Sequence, residues 1–516
     1  MKKYFLIITG FLLFFAHNSC SERELDLFPP DKDEITGINS ESQLQQLLNG
    51  AYISIASTNV YGTEVMLFGD LLGDKLFVSN SNPSYLNTFN YNYNSTQSDF
   101  GFYGSLYSVI MNCNLVINNT TVPNNANIQR IKGEARIIRG LAYFTLVSYY
   151  SPTPTSGVNQ EYGVPLVLND YDVNIKPGRA TVAQVYDQII ADLKEGVNLA
   201  DEAPSQKVIL SKTAAKLLLS RVYLTRRASG DAELALQYAT DIVNNSPSSF
   251  AKIDASALTK PYNPASMSFY EQYFSGSNET KKTGIADTWQ GQPVTYDLEG
   301  TENQPETIWE LDLNMNTNRA TGIGSNVSLP GYYNRTDSRR CMLFNQTFYN
   351  SFAPTDVRRG SSPTSGLLIN TGAPGTDTPK GYWTNKYPRF TDEGNYFRNI
   401  KVLRFAEAQL NRIEALYLTG QTGLALTELN AFAASRKGSV YTGTNLLNDI
   451  LTEKSKEFYG EGQRFLDLKR YNLTMTRPSN CTVNCTVTAD NKLFVLPLSN
   501  GALNANENLK QYPGYN

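Results

Sequence analysis

Histidine is almost absent from this 516-residue chain: the single copy is His17. Tryptophan is nearly as rare, with three residues, and cysteine occurs five times. Neither sign of charge dominates, since 45 Lys and Arg stand against 48 Asp and Glu for a formal charge of −3. Each shortage excludes something. Without a basic excess, phosphate backbones are poor partners, so nucleic acid is not expected. The longest apolar stretch, Tyr4 to Ala16, is too short to cross a bilayer as a helix. What the chain does have is tyrosine, 32 residues of it, a side chain that is flat, apolar and hydrogen-bonding at once. A chain of this length that is 41% hydrophobic can bury a large core, divided into domains or built from repeats.

Lys2 and Lys3 followed by Tyr4 to Ala16 read as a secretory signal segment. It closes on His17-Asn18-Ser19-Cys20, similar to a bacterial lipobox in which the cysteine is acylated and becomes the first residue. The usual aliphatic residue three places before that cysteine is replaced by His17. Cleavage before Cys20 moves the charge to −5 and removes the only histidine. The mature chain then has no imidazole for a Ser-His-Asp or Cys-His nucleophile, nor for a zinc or iron site. Neither cofactor nor metal is expected. Of the other cysteines, Cys481 and Cys485 lie in a Thr/Asn-rich loop that one disulfide could close in an exported protein, while Cys113 and Cys341 suit free thiols as well as a bridge.

Helical periodicity opens at residues 41–57 and is lost from Gly69 to Phe102, a segment rich in Asn, Ser and Tyr. It returns with Ile131, Ala135, Ile138, Ala142, Leu146 and Tyr149 on one face, ending at Ser151-Pro152. Thr181 with Gln184 forms a capping-box pattern, and further helices run from Ser211 to about Ala228 and from Gly230-Asp231 to Asn245. Residues 250–397 contain all three Trp in loops and short apolar pieces. Helical spacing resumes at Ile400 through Leu403, Ala406, Leu410, Ile413 and Tyr417, with helices after Gly420 and from Leu446 to Tyr459. Tyr223-Leu224-Thr225 and Tyr417-Leu418-Thr419 each end a helix, followed by a Gly turn and an Ala-Leu pair, the layout of a tetratricopeptide-like hairpin. Such hairpins bury their faces only by stacking.

With these pieces in order, the chain resembles the SusD/RagB family of Bacteroidetes surface lipoproteins. The resemblance rests on Leu25-Asp26-x-x-Pro29, Gly133-Glu134-Ala135-Arg136-x-x-Arg139, Arg404-Phe405-Ala406-Glu407, Glu461-Gly462-x-Arg464-x-x-Asp467 and Gln511-x-Pro513-Gly514-Tyr515. Glu453-Lys454 departs from the Glu-Arg common in the family, and a lysine cannot supply a bidentate fork. The resemblance implies a mainly α fold, a tetratricopeptide-like helical-hairpin superhelix with an irregular insertion packed against it. It divides the chain into a signal peptide (1–19), a lipid-anchored tether (20–40), an N-terminal helical part (41–249), a loop-rich insertion (250–397) and a C-terminal helical part (398–516). It further implies a glycan-binding lid, anchored through Cys20 to the cell-surface leaflet of the outer membrane, on a SusC-like TonB-dependent transporter. A peptide-binding lid of the same architecture and a secreted glycoside hydrolase are the alternatives.

Glu407 and Glu414 lie seven apart, about 10 Å along one helix face, a separation near that of an inverting carboxylate pair. Arg404 and Arg412 beside them favour ion pairs that tie helices together, and the charges around Glu134 and Glu461 read the same way. Asp170-x-Asp172-x-Asn174 lacks the glycine of a calcium loop. A sugar ring needs a flat apolar surface under its C–H face and amides or carboxylates around its hydroxyl rim. Tyr85, Tyr91 and Tyr93, interleaved with Asn90 and Asn92, offer that combination, and so does Trp289 in the insertion. Trp309, in Ile308-Trp309-Glu310-Leu311, and Trp383 read as core.

Overall fold

The computed structural model describes residues 37–515 except 81–82, 98–99, 171, 173, 254–267, 277–281, 290–291, 299–300, 314–321, 325–326, 361–365, 371–380, 390–395 and 478–480; for 282–289 and 292–298 it describes the backbone. The signal segment, Cys20 and most of the tether lie outside the described residues.

Chain entry is fixed by a capping box, in which Ser40 accepts from the Gln43 amide and Gln43 reaches back to the Ser40 amide, starting α1 (Glu41–Ile55). After α2 (Glu64–Leu71), β1 (Leu76–Val78) and the one-turn α3 (Leu86–Phe89) comes α4 (Phe102–Ile117). Sequence reading passed over α4, although Phe102, Leu106, Val109, Ile110, Cys113 and Val116 mark a buried stripe. Helix α5 (Ala126–Tyr150) is almost entirely buried and stops where Ser151 turns extended before Pro152. Lys469 Nζ donates to the carbonyls of Ser148 and Ser151 at 2.6 and 2.7 Å, placing a cation at the negative end of the helix dipole.

The next three helices start where the sequence indicates. Thr181 and Gln184 form a complete capping box before α6 (Val182–Leu199), Ser211 caps α7 (Lys212–Arg226), and α8 (Asp231–Asn245) follows Gly230 in a left-handed turn. Helices α5 and α6 approach so closely that a Cβ on Gly133 would lie 2.6 Å from the Ala200 amide nitrogen. Across the same junction Arg139 grips the buried Asp192 through Nε and Nη2 at 2.8 and 2.7 Å.

The insertion contributes α9 (Phe269–Ser275), β2 (Lys282–Trp289), β3 (Gln292–Leu298), β4 (Thr307–Leu311), α10 (Leu329–Tyr333), β5 (Met342–Phe344), α11 (Gln346–Asn350), β6 (Leu368–Ile369) and β7 (Trp383–Thr384). Then come β8 (Ile400–Arg404), α12 (Phe405–Leu418), α13 (Thr422–Ser435), α14 (Leu446–Phe458), α15 (Arg464–Arg470), β9 (Met475–Thr476), β10 (Thr486–Val487) and α16 (Asn500–Ala505). The described strands form five two-stranded antiparallel sheets. One corrects the sequence reading: Ile400 to Arg404 is not helical but pairs with β4, Glu310 opposite Lys401 and Leu311 opposite Ile400. Ile400 and Val402 fit the two-residue step of a strand while Ile400 and Leu403 fit a helical step, and the partner strand decides it. As expected, Trp309 and Trp383 are buried, and Trp309 Nε1 donates to Val208 O at 3.1 Å.

The α7–α8 and α12–α13 hairpins make the architecture mainly α and tetratricopeptide-like, with Ala235 and Ala425 buried at the close approaches. The second hairpin packs over α14 through Leu410, Ile413, Leu429 and Ile450. Beneath this packing lies a buried ionic cluster. Arg404, at the end of β8, reaches Glu457 of α14 at 2.9 Å and Glu461 at 2.8 Å. Arg436 meets Glu457 at 3.2 Å, and Arg358 from the insertion meets Glu453 at 2.6 Å and Asp356 at 2.7 Å. Lys386 adds a 2.7 Å bond to Glu461. Burial alone would raise the carboxyl of Glu457, but Arg436, Arg404 and Arg358 hold it well below the usual range.

Breaking one partner of such a cluster leaves a buried charge uncompensated, at a cost of roughly 3–5 kcal/mol, whereas exposed pairs contribute about 0–1 kcal/mol. Glu457→Ala is therefore expected to lower unfolding free energy in urea by that larger amount, and Asp241→Asn, at the surface pair with Lys216, by little. Asp70 behaves oppositely to Glu457. Burial pushes its carboxyl up to about 7, despite the Gly462 amide donating at 3.0 Å and the Tyr333 hydroxyl at 3.3 Å. A raised folded-state value means that the folded chain binds the extra proton between about pH 4 and 7, so this group adds stability as pH falls through that window. Subtracting the stability–pH curve of Asp70→Asn from that of the parent is expected to leave a rise of roughly 2–4 kcal/mol toward pH 4.

Candidate ligand-binding face

The Asn- and Tyr-rich segment from Leu72 to Gln97 has little regular structure, yet it is held at many points. Arg477, after β9, sends its guanidinium into the segment: Nε donates to Gly73 O at 3.2 Å, Nη2 to Leu71 O at 2.7 Å and Nη1 to Phe89 O. It also stacks over the Phe89 ring at 3.9 Å. Burial draws this guanidinium down to about 10, with Tyr91, Tyr93 and Asp74 pulling the other way. Cys481 and Cys485 are joined by a disulfide with Cα atoms 5.5 Å apart, beside the β9–β10 pair. From inside that bridge, Asn484 donates to Asn90 O at 2.8 Å. Cys113 and Cys341 are free and buried.

Tyr91 and Tyr93 are withdrawn from the stacking set. They are 2% and 5% exposed, with hydroxyls donating to Leu72 O and Leu493 O. Tyr91, in a turn at φ 52°, and Tyr93 face inward while Asn92 and Asn94 are exposed. Asn90 is half-buried. Trp289 ends β2, its backbone opposite Gln292; its side chain lies outside the described residues.

Tyr85 remains on the surface side, half-buried, in the left-handed region at φ 55°. A tyrosine held there is strained by about 1–3 kcal/mol, which the surrounding contacts must outweigh. Those contacts are aromatic: the Tyr85 ring meets Phe68 edge-on at 5.1 Å and Tyr332 at 5.3 Å, and the Tyr332 hydroxyl donates to that of Tyr85 at 3.3 Å. Phe100, also half-buried, stands on Phe68 at 5.4 Å, and Leu86 next to Tyr85 is 39% exposed. Tyr85, Leu86 and Phe100 thus form an apolar ledge with exposed Asn87, Asn92 and Asn94 on the same segment. Glu64 accepts from the Gly101 amide at 3.0 Å, fixing the start of α4 beside it. Sequence reasoning missed Tyr332, because no local pattern shows that it will touch Tyr85 some 250 positions earlier; Phe68, 17 residues before Tyr85, was passed over with the rest of α2.

The acidic motif residues are committed to ion pairs. Glu407 accepts from Arg221 Nε and Nη2 at 2.6 and 2.7 Å. Glu414 accepts from Arg470, from Lys454 at 2.9 Å and from the Tyr471 hydroxyl at 2.7 Å. The fork that Lys454 cannot supply comes from Arg470. Among the described residues no group of three or more His, Cys, Asp or Glu is placed to hold a metal ion. A separate cleft of about 650 Å³ lies between α1, α5 and β4, where Tyr52 donates to Glu134 at 2.6 Å.

Two family models match: one described as starch-binding, associating with outer membrane, over residues 25–224, and the SusD family model over residues 364–515. The chain belongs to the SusD/RagB family. SusD-like protein P2 of Formosa agariphila is 24% identical over 254 residues, so the match spans about half of either protein (48% of this chain, 47% of that one). A SusD superfamily protein from Bacteroides vulgatus superposes with a TM-score of 0.75 at 22% identity, covering 93% of this chain and all of that one. A SusD-like carbohydrate binding protein from the same species gives 0.72 at 19%, covering 92% and 98%. These likenesses show that the SusD architecture is shared over nearly the whole length.

If the Arg477 clamp and the Tyr91 hydroxyl shape the ledge from below, Tyr91→Phe is expected to cost about 1–2 kcal/mol of stability. Arg477→Met is expected to speed amide hydrogen exchange across residues 72–94 while leaving the α7–α8 hairpin protected, as read by mass spectrometry.

Proposed function

We propose that this protein is a non-catalytic, surface-exposed lipoprotein of the outer membrane. It captures a glycan and delivers it to a SusC-like TonB-dependent transporter, over which it sits as a lid. Acylation of Cys20 anchors it, and residues 20–40 act as the tether. The observation that carries the reading is the Tyr85–Leu86–Phe100 ledge, a preformed apolar surface flanked by asparagine amides, on a chain of the SusD/RagB family. Such a surface meets the two faces of a sugar ring without reorganising, which lowers the entropic cost of binding. The ion pairs of Glu407 and Glu414 support a binder over a glycosidase, since each carboxylate is held by guanidinium groups and shielded from acid–base work.

The test is a glycan and peptide binding screen on the soluble form lacking Cys20. Tyr85→Ala is expected to weaken the best glycan at least tenfold, Trp289→Ala to weaken it if the β2–β3 hairpin joins the face, and Tyr91→Phe to leave it within a factor of two. Affinity for oligopeptides with none for glycans, or sustained polysaccharide turnover abolished by Glu407→Gln, would replace this reading.

A further inference from the structure

The Cys481–Cys485 bridge is placed unlike a staple of the fold. Its two cysteines are four residues apart in sequence. The entropy that a disulfide takes from the unfolded chain grows with the length of the loop it closes, so a loop this short contributes little to global stability. Both cysteines are half-buried and the residues between them are exposed, Val483 to 44%, which leaves the sulfurs open to approach from solvent. Cys113 and Cys341, the other cysteines after Cys20, are fully buried, and burial pushes both thiols up. Thiol chemistry on the folded chain is thereby directed to this one pair.

The closed loop holds the ledge segment through one side chain. Asn484, between the two cysteines, sits in the left-handed region at φ 48°. Its side-chain amide donates to Asn90 O at 2.8 Å and reaches Tyr91 O at 3.5 Å. Asn90 closes α3, its own amide donating to Leu86 O at 2.9 Å, and Tyr85 stands immediately before that helix. A one-turn helix is not stable by itself, so whatever holds its far end also holds Tyr85 and Leu86. At its base the loop is tied by the Arg477 amide, which donates to Cys485 O at 2.8 Å. Strands β9 and β10 pair there over Met475–Val487 and Thr476–Thr486, a ladder too short to keep its shape once the bridge opens.

From this arrangement we propose that the Cys481–Cys485 bridge is a redox-sensitive latch on the Tyr85–Leu86 ledge. Oxidised, it keeps Asn484 against Asn90 and the turn of α3 formed. A small thiol supplied from solvent opens it in two exchanges. The thiolate of the first attacks one cysteine sulfur to form a mixed disulfide, and the other cysteine leaves as thiolate and takes up the proton that the attacking thiol gave. A second thiol resolves the mixed disulfide in the same way, so one protein disulfide and two external thiols become two cysteine thiols and one external disulfide. Asn484 then leaves Asn90 and α3 loosens, while the Arg477 guanidinium still holds Leu71, Gly73 and Phe89, which confines the response to the ledge. The latch stands on these contacts; its use as a control on glycan capture rests on the role proposed above.

The experiment is amide hydrogen exchange, read by mass spectrometry, on the soluble form lacking Cys20, before and after treatment with dithiothreitol and iodoacetamide under native conditions. The treated chain is expected to carry alkyl groups on Cys481 and Cys485 and on no other cysteine. Its amides from Leu86 to Asn92 are expected to exchange about fivefold faster or more, while the α7–α8 hairpin stays protected. Cys481→Ser with Cys485→Ser is expected to reproduce the change without the bulk of the alkyl groups. Asn484→Ala, with the bridge intact, is expected to give part of the same acceleration, because it removes the contact and leaves the loop closed. Unchanged exchange from Leu86 to Asn92 in both the treated chain and the double-serine variant would overturn the latch, and so would a bridge that dithiothreitol leaves intact or an Asn484→Ala variant identical to the parent. Lost protection in the α7–α8 hairpin as well would overturn it by making the bridge a general staple. A latch that opens as expected in a protein that binds no glycan in the screen leaves this inference standing and removes the proposed role.

Discussion

Five carboxylates and four cations share one buried volume around Glu457, and the fold is organised by the need to keep them paired. Glu306 and Arg358 come from the insertion, Arg404 from the strand that ends it, Arg436 from the C-terminal end of α13, and Glu453, Glu457 and Glu461 from α14 and the turn beyond it. None of these groups can leave the cluster without exposing a partner to a medium of low polarity. The ionic cluster therefore does what sequence-local hydrophobic patterning cannot. It ties an irregular insertion to a regular helical hairpin, because Arg358 from the one and Arg436 from the other both bond Glu457. Aromatic packing then fills the space around it, with Phe274 and Phe458 flanking Arg404.

The proposed ligand-binding face applies the same logic with weaker forces. A loop segment that would otherwise sample many conformations is made rigid by carbonyl bonds to one arginine, by inward tyrosine hydroxyls, and by a short disulfide-closed arm. Rigidity at that price suits a surface that must meet a flat ligand, since ordering a loop on binding would cost about 1–2 kcal/mol per residue. The left-handed backbone at Tyr85 belongs to this economy of constraint: the ring points where its neighbours need it, and the backbone accommodates it.

The helical scaffold was legible from the sequence because its signals are local. Thr181 and Ser211 cap the helices that the sequence starts there, and the glycine turns of the two hairpins fall where the repeat placed them. Strand β8 was misread because Ile400, Val402 and Leu403 fit both a two-residue and a three-residue step, and its identity depends on β4, nearly a hundred residues earlier. Tyr91 and Tyr93 were misplaced for a related reason. An alternation of Tyr and Asn shows that two faces exist, but which face meets water is set by Arg477 and Leu493, some four hundred residues later. Tyr332 shares that property, reaching Tyr85 from some 250 residues later. The site is assembled from contacts distant in sequence, and only the one on a visibly biased segment, Tyr85, could be found in advance.

The Arg477 clamp has a consequence for how the molecule comes into being. The guanidinium that closes the segment from Leu71 to Phe89 belongs to the last forty residues of the chain. A chain synthesised amino terminus first presents its tyrosine segment long before the residue that locks it arrives. The proposed face is thus completed late, once Arg477 has followed and Cys481 and Cys485 have joined. A chain broken off before Arg477 would retain most of its helices and still lack the clamp that forms this face, so that order in the segment reports on whether synthesis has passed that residue.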